Sequence, residues 1–458
     1  MNNISINFSE TNGPIKPVNA VNNGPTLPSV RQGSRSNFEY YKEAKFPYAR
    51  NHDASFYGPY GGEHIVDVHR IFKYFGADEN DPESYFFEPT DNYVKNTIAS
   101  GTKVFYRLGA AIEHYHKYGT RVPKDFAKWA RICEHIIAHY TEGWANGFHY
   151  DIEYWEIWNE PDCINPDGTN PCWQGTTEQF IDLFEVTAKH LKARFPHLKI
   201  GGPAFSYPCP KDFKNKFLNA VRDRNIPLDF YSYHWYGDDI GVLKETILNA
   251  QRELAGVGLM GTQTVLNEWN YVKGWLEDDW RYSKKVEKNL KGSSFVAGCL
   301  CVAQENPLDM FMYYDARPCG MNGLFDTGNF ARLKPYYPFL LFSKLSDMGR
   351  YVKADNKEED IYICAAKTEG KAGFMLTYYN DNDGQYRSSA KPAEKIRKVG
   401  LDILMPDADA SYSLKYYLTD ETRDNELIKE EIQKDGSFKL CIDIDLYSTY
   451  YIELEKQG

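Results

Sequence analysis

Tyr154-Trp155-Glu156-Ile157-Trp158-Asn159-Glu160-Pro161 is a short, aromatic, β-prone run that stops at a proline. Proline has no N–H to give to a sheet ladder, so a strand is expected to end there, with Asn159 and Glu160 at its C-terminal tip. A second run of the same shape, Thr264-Val265-Leu266-Asn267-Glu268-Trp269-Asn270, also delivers a glutamate at its end. A single glutamate at a strand end is ordinarily a solvated rim residue, because Glu is rarely buried. Two of them, set among tryptophans, point instead to a carboxylate pair for acid/base and nucleophilic chemistry on a sugar.

The flanking sequence places these two strands in a repeating frame. Runs at 15–22, 46–53, 103–108, 154–160, 198–203, 228–236, 264–268 and 310–315 read as eight strands. Helical spacing of apolar residues follows each, for example over Lys124–Tyr140, Thr177–Phe195 and Val242–Val257. One helix is expected within Lys284–Asn306 and another over Pro82–Ser100. Parallel strands need crossover helices, so the pattern predicts an α/β fold, a closed (β/α)8 TIM barrel. Residues 54–83, rich in Gly, Pro and Asp, read as a long βα loop, the kind that carries function.

Beyond residue 349 the periodicity changes to short β-rich runs separated by turns such as Asn380-Asp381-Asn382-Asp383-Gly384. This predicts a C-terminal antiparallel β-sandwich domain over 349–458, after a catalytic barrel over 14–348. Residues 1–13 read as an N-terminal strand that joins the sandwich.

Active sites of barrels lie at the C-terminal strand ends. The polar residues expected there are Arg50, His52, Asn159, Glu160, His234, Tyr236, Glu268 and Asp315. Glu160 is the candidate acid/base, because burial and a neighbouring carboxylate would raise its pKa. Glu268 is the candidate nucleophile, kept ionised by donors such as Arg50 and Tyr236. Asn159 suits a hydrogen bond to a sugar 2-hydroxyl, although a rim Asn also caps turns. His52 and His234 suit hydroxyl binding as neutral imidazoles. Asp315 completes the expected substrate contacts. No Cys-x-x-Cys spacing occurs, and no three-ligand cluster accompanies His52 or His234, so neither a metal nor another cofactor is expected.

The formal charge of −11 lacks the basic patches of a nucleic-acid or anionic-membrane binder. No run of 18 apolar residues occurs, so no membrane span is expected. The expected partner is a carbohydrate; homo-oligomer formation is left open. Nine cysteines, an odd number without disulfide spacing, suit reduced thiols and a cytoplasmic setting. A trimmed signal peptide would make the setting periplasmic or secreted. Cys163 and Cys172 share the loop after Glu160, and a bridge between them stays open.

Ile157-Trp158-Asn159-Glu160-Pro161 and Leu266-Asn267-Glu268-Trp269 resemble the strand-four and strand-seven motifs of clan A retaining glycosidases. Within the clan the chain resembles glycoside hydrolase family 39, which holds β-xylosidases and α-L-iduronidases. Val18–Pro25, Arg50-Asn51-His52-Asp53 and Ser232–Tyr236 support that likeness, as does the domain order. The resemblance implies Glu160 as acid/base, Glu268 as nucleophile, and Asn159, His52, His234 and Tyr236 as sugar contacts. Asn267-Glu268-Trp269-Asn270 departs from a frequent Thr-Glu-Phe form, and the loop with Cys163 and Cys172 is idiosyncratic. Both features leave the sugar open. The expected activity is that of an exo-acting β-xylosidase. The rivals are an α-L-arabinosidase, a β-galactosidase-type enzyme, a uronidase or an endo-acting glycanase. A uronidase would need a cation such as Arg317 or Arg332 for the sugar carboxylate. A rival of another class is a non-catalytic sugar-binding barrel.

Overall fold

The computed structural model describes residues 3–26, 35–54, 64–112, 119–321, 323–381 and 393–457. The start of the N-terminal segment (1–2), residues 55–63 of the long loop and the 382–384 part of the expected turn lie outside these residues.

Strand β1 (Asn3–Asn7) precedes the barrel. The barrel strands are β2 (Ala20–Asn22), β3 (Tyr48–Asn51), β4 (Lys103–Leu108), β5 (Tyr154–Ile157), β6 (Lys199–Phe205), β7 (Phe230–Gly237), β8 (Gln263–Tyr271) and β9 (Met310–Tyr313). They close in sequence order, and β2 pairs in parallel with both β3 and β9. The expected TIM barrel is therefore the observed one.

Alternation sorts each strand into two faces. Outward residues such as Trp155, Trp235 and Trp269 are fully buried against the helical layer. Trp269 stacks on Phe311 at 4.2 Å and also meets Phe295, from the helix Leu290–Glu305. Side chains of this size are worth about 3–5 kcal/mol each on truncation. Inward residues form layers. Ala20, Phe105, Tyr154, Phe230, Val265, Met310 and Met312 make an apolar plug inside the barrel. Two residues further along the strands come Asn22, Arg107, Glu156, Ser232 and Asn267, all buried and polar. The plug supports a polar floor, and the candidate site sits on that floor.

Side-chain caps start several of the helices. Asp125 accepts from Lys128 N, and Thr176 with Gln179 forms a capping box. The helix expected within Lys284–Asn306 is Leu290–Glu305, and a second helix, Glu277–Val286, precedes it. Asn289 separates them, its side chain accepting from Gly292 N. The helix expected over Pro82–Ser100 is split, into a 3-10 turn at Pro82–Ser84 and an α-helix at Glu88–Ala99.

The C-terminal strands are β10 (Arg350–Val352), β11 (Ala354–Asp355), β12 (Ile361–Thr368), β13 (Lys371–Tyr378), β14 (Ile396–Leu404), β15 (Tyr412–Thr419), β16 (Glu426–Gln433), β17 (Ser437–Asp445) and β18 (Thr449–Lys456). They form a six-stranded sheet, β10-β12-β13-β18-β15-β16, and a four-stranded sheet, β11-β1-β14-β17. Ile4, Ile6, Leu376, Leu401, Ile442 and Ile452 contribute to one core of their own. β1 pairs in parallel with β14, so this sandwich is antiparallel except at that pair. The sandwich reaches the barrel through Tyr379, which donates to Asp238 O at 2.6 Å and packs on Phe295.

Candidate active site

The expected strand end at Glu160 falls earlier: β5 stops at Ile157, and the chain then turns. Trp158 and Glu160 both take left-handed backbone conformations, with φ of 77° and 45°. Non-glycine residues are seldom found there, and such positions concentrate at functional sites. The consequence is local: strict alternation is broken, and Asn159 and Glu160 reach the same space. Gly109 makes room for this turn. A Cβ on it would lie 2.8 Å from the Trp158 ring, and its own φ is +107°.

β8 uses a different device. Tyr233 pairs with Leu266 but His234 pairs with Glu268, so Asn267 is an extra residue in the ladder. A bulge re-aims side chains. Here Asn267 and Glu268, which alternation would send to opposite faces, both point inward. Asn267 Nδ2 reaches Glu156 Oε1 at 2.5 Å, and Glu268 reaches the strand tips.

Arg50 organises the floor. It is fully buried and donates from Nε to Glu156 Oε2 (2.6 Å), from Nη1 to Glu268 Oε1 (2.7 Å) and from Nη2 to Asn159 Oδ1 (2.7 Å). Burial alone would lower its pKa, but Glu156 and Glu268 more than offset that and raise it. Glu156 is held in turn by Ser232 Oγ at 2.6 Å. Breaking a buried ion pair of this kind costs about 3–5 kcal/mol. Sequence reasoning passed over Glu156. The available signal was a carboxylate inside an otherwise apolar buried strand, four residues before Glu160.

His52 is set from behind by Arg107. Arg107 Nε donates to His52 Nδ1 at 3.2 Å, and guanidinium nitrogens cannot accept. His52 therefore carries its proton on Nε2, which faces Asp53 Oδ1 (3.1 Å) and Glu268 Oε1 (3.2 Å). Burial, then Arg50 and Arg107, push its pKa well down, so it is a neutral donor. Arg107 is anchored by Asp67, and neither residue was singled out from the sequence.

His234 Nδ1 lies 2.8 Å from Glu160 Oε1 and 3.5 Å from Glu268 Oε2. One potential ligand atom from each of Glu160, His234 and Glu268 lies within 4.8 Å of the others. The two carboxylates therefore face each other across a narrow gap. Tyr236 donates to Glu268 Oε2 at 2.7 Å. Burial raises the Glu160 pKa to about 8, with Asp162 adding to the shift and Arg50 opposing it. Burial also raises Glu268, against the pull of His234 and Arg50. Glu268 has three donors aimed at it, from Arg50, Tyr236 and His52, so it is the better placed of the two to ionise.

Arg50, His52, Asn159, Glu160, His234, Tyr236 and Glu268 thus share one cluster. Asp315 stands one step away. It is fully buried, and its two oxygens accept from Arg317 N (2.7 Å), Nε (2.9 Å) and Nη2 (2.6 Å). Arg317 also donates to Asp53 O at 2.7 Å. Cys163 and Cys172 are free thiols, and the Cys172 thiol lies 3.9 Å from Glu160 Oε2. At the rim, Trp275 is 48% exposed and its ring lies 5.1 Å from that of Tyr236. It offers a face on which a sugar ring can stack.

One prediction follows from the Tyr236 bond. Its hydroxyl stabilises only the ionised form of Glu268, so Tyr236→Phe should raise the Glu268 pKa. The acidic limb of kcat/KM is then expected to move to higher pH, with a fall of about tenfold or more at the optimum. A pH–rate profile that keeps its acidic limb would contradict this.

A closed eight-stranded barrel with paired glutamates from its fourth and seventh strands has the architecture of the barrel glycosidases. Residues 67–273 match the profile of "Glycosyl hydrolases family 39". It is 30% identical over 147 residues to a beta-xylosidase of Geobacillus stearothermophilus, covering 31% of this chain and 26% of the relative. It is 24% identical over 316 residues to a beta-xylosidase of Caldicellulosiruptor saccharolyticus, covering 63% of this chain and 59% of the relative. The chain therefore spans about a quarter and three-fifths of the length of these two relatives. A glucosidase structure from Croceicoccus marinus superposes with a TM-score of 0.77 at 18% identity, over 100% of this chain and 99% of that one, and so shares the fold. No helix among the described residues is long and apolar enough to cross a membrane.

Proposed function

We propose that the chain is a retaining glycoside hydrolase that removes β-xylosyl units from the ends of oligosaccharides or glycosides. The observation that carries the retaining reading is the narrow gap, with a Glu160 and a Glu268 oxygen no more than 4.8 Å apart. Double displacement uses carboxyl groups about 5–5.5 Å apart, whereas inversion needs about 6.5–9.5 Å to admit a water.

Glu160, protonated near neutral pH, gives its proton to the glycosidic oxygen as the bond breaks. Glu268, ionised, attacks the anomeric carbon from the opposite face and forms a glycosyl-enzyme. Glu160, now a carboxylate, takes a proton from water, and that water releases the sugar with its original anomeric configuration. Arg50 holds Glu268 and Asn159 in one fork, so the nucleophile and the candidate 2-hydroxyl partner keep a fixed spacing.

The xylosyl preference rests on the two beta-xylosidase relatives. A uronidase reading is less well supported. Arg317 is bound to Asp315 and Arg332 to Glu43, so neither cation is turned to a sugar carboxylate. A panel of 4-nitrophenyl glycosides tests the preference. The β-D-xyloside is expected to give the highest kcat/KM, ahead of the α-L-arabinoside, β-D-galactoside and β-D-glucuronide. A higher value for any of those three would reassign the sugar.

A further inference from the structure

The loop after the candidate acid brings two thiols back to it. The chain leaves Glu160, passes Cys163, and returns nine residues later at Cys172. The return is built. Asn170 Oδ1 accepts from the N–H groups of Cys172 (2.8 Å) and Trp173 (2.7 Å), and Asn170 Nδ2 donates to Pro161 O (2.8 Å). Trp158 Nε1 pins Cys172 O at 3.0 Å. Cys163 N donates to Glu160 O at 3.0 Å. One Glu160 oxygen and the two sulfurs all lie within 4.8 Å of one another. The hydrolytic scheme gives neither thiol a task.

We propose that Glu160, Cys163 and Cys172 form a site for a soft divalent cation, Zn²⁺ or Cd²⁺, whose binding withdraws Glu160 and stops hydrolysis. The stopping clause rests on the hydrolase reading above; the site itself does not. Zinc–sulfur bonds of about 2.3 Å and zinc–oxygen bonds of about 2.0–2.2 Å put tetrahedral neighbours about 3.5–3.8 Å apart. The Cys172 sulfur and Glu160 Oε2 are already 3.9 Å apart, so the loop needs only a small contraction. Three protein ligands leave the fourth position to water.

A second trio, Glu160, His234 and Glu268, also has ligand atoms within 4.8 Å of one another. It is the poorer site for a cation, because the Arg50 guanidinium lies 2.7 Å from Glu268 and repels one. Sulfur also favours zinc and cadmium over harder ions. Binding is a proton exchange with no redox change. The cation displaces the protons of both thiols and of Glu160 into the buffer, and the carboxylate and thiolates bind it.

Cadmium chloride added to the full-length protein tests this. Expected are one ion per chain, a thiolate-to-cadmium charge-transfer band, and loss of aryl xyloside turnover that EDTA restores. Cys163 is only partly buried, so Cys163→Ser should fold and keep its ion-free activity. That variant should lose the band's intensity and need about tenfold more cadmium for the same inhibition. No band in the wild type, or equal inhibition of Cys163→Ser, would overturn the site. The band and the stoichiometry require no turnover. A band without any hydrolysis would therefore leave the site standing and sink the hydrolase reading instead.

Discussion

Glu268→Ala is expected to lower kcat for an aryl β-xyloside by on the order of 10⁴–10⁶-fold. Among the described residues, no other carboxylate is placed to attack the anomeric carbon from that side: Glu156 lies beneath it with its oxygens engaged by Arg50, Ser232 and Asn267. The variant should still fold. Removing Glu268 leaves the buried Arg50 cation paired with Glu156 at 2.6 Å, so no charge is orphaned. Azide, small enough for the space vacated, should restore turnover and yield a glycosyl azide of inverted configuration. Circular dichroism and the product's NMR spectrum check the two halves of this expectation. Activity within about tenfold of wild type would remove Glu268 from the nucleophile role.

Glu160→Ala should separate the two half-reactions. With an unactivated leaving group the acid is needed, and kcat is expected to fall by about 10²–10⁴-fold. With a dinitrophenyl leaving group the first step no longer needs it. Release should then begin with a burst and settle to a slow rate, because the second step still lacks its base. The pH profile carries an independent signature, measured with EDTA present so that no ion bridges Glu160 to the thiols. In the wild type, kcat/KM should fall as pH rises through about 8, where Glu160 loses its proton. It should also fall at low pH as Glu268, raised above its ordinary value by burial, becomes protonated. Glu160→Ala should lack the alkaline limb. A retained limb near pH 8 would assign that titration to another group.

The barrel was legible because each strand is a short apolar run bounded by Gly, Pro or Asn, and each crossover has helical spacing. The two glutamates were legible because they close two such runs. Their aim was not. At β5 it depends on left-handed backbone at Trp158 and Glu160, and at β8 on one extra residue, Asn267. Neither a bulge nor a positive φ at Trp or Glu has a reliable signature in residue type. Glu156 stayed hidden because its meaning comes from partners on three other strands, Arg50, Ser232 and Asn267.

In the C-terminal region β16, Glu426-Leu427-Ile428-Lys429-Glu430-Glu431-Ile432-Gln433, escaped reading as a strand. It is built largely from helix formers and is exposed along most of its length. It survives as an edge strand paired only to β15, where charge discourages further pairing. The proximity of Cys172 to Glu160 likewise depends on the loop held by Asn170.

The most direct measurement is the anomer first released by the wild type. Proton NMR of β-xyloside hydrolysis, recorded before mutarotation, should show β-xylose appearing first and α-xylose only later. That order is expected from the approach of one Glu160 oxygen to within 4.8 Å of a Glu268 oxygen. α-Xylose appearing first would mean a single displacement by water, and would contradict the assignment of Glu268 as a nucleophile.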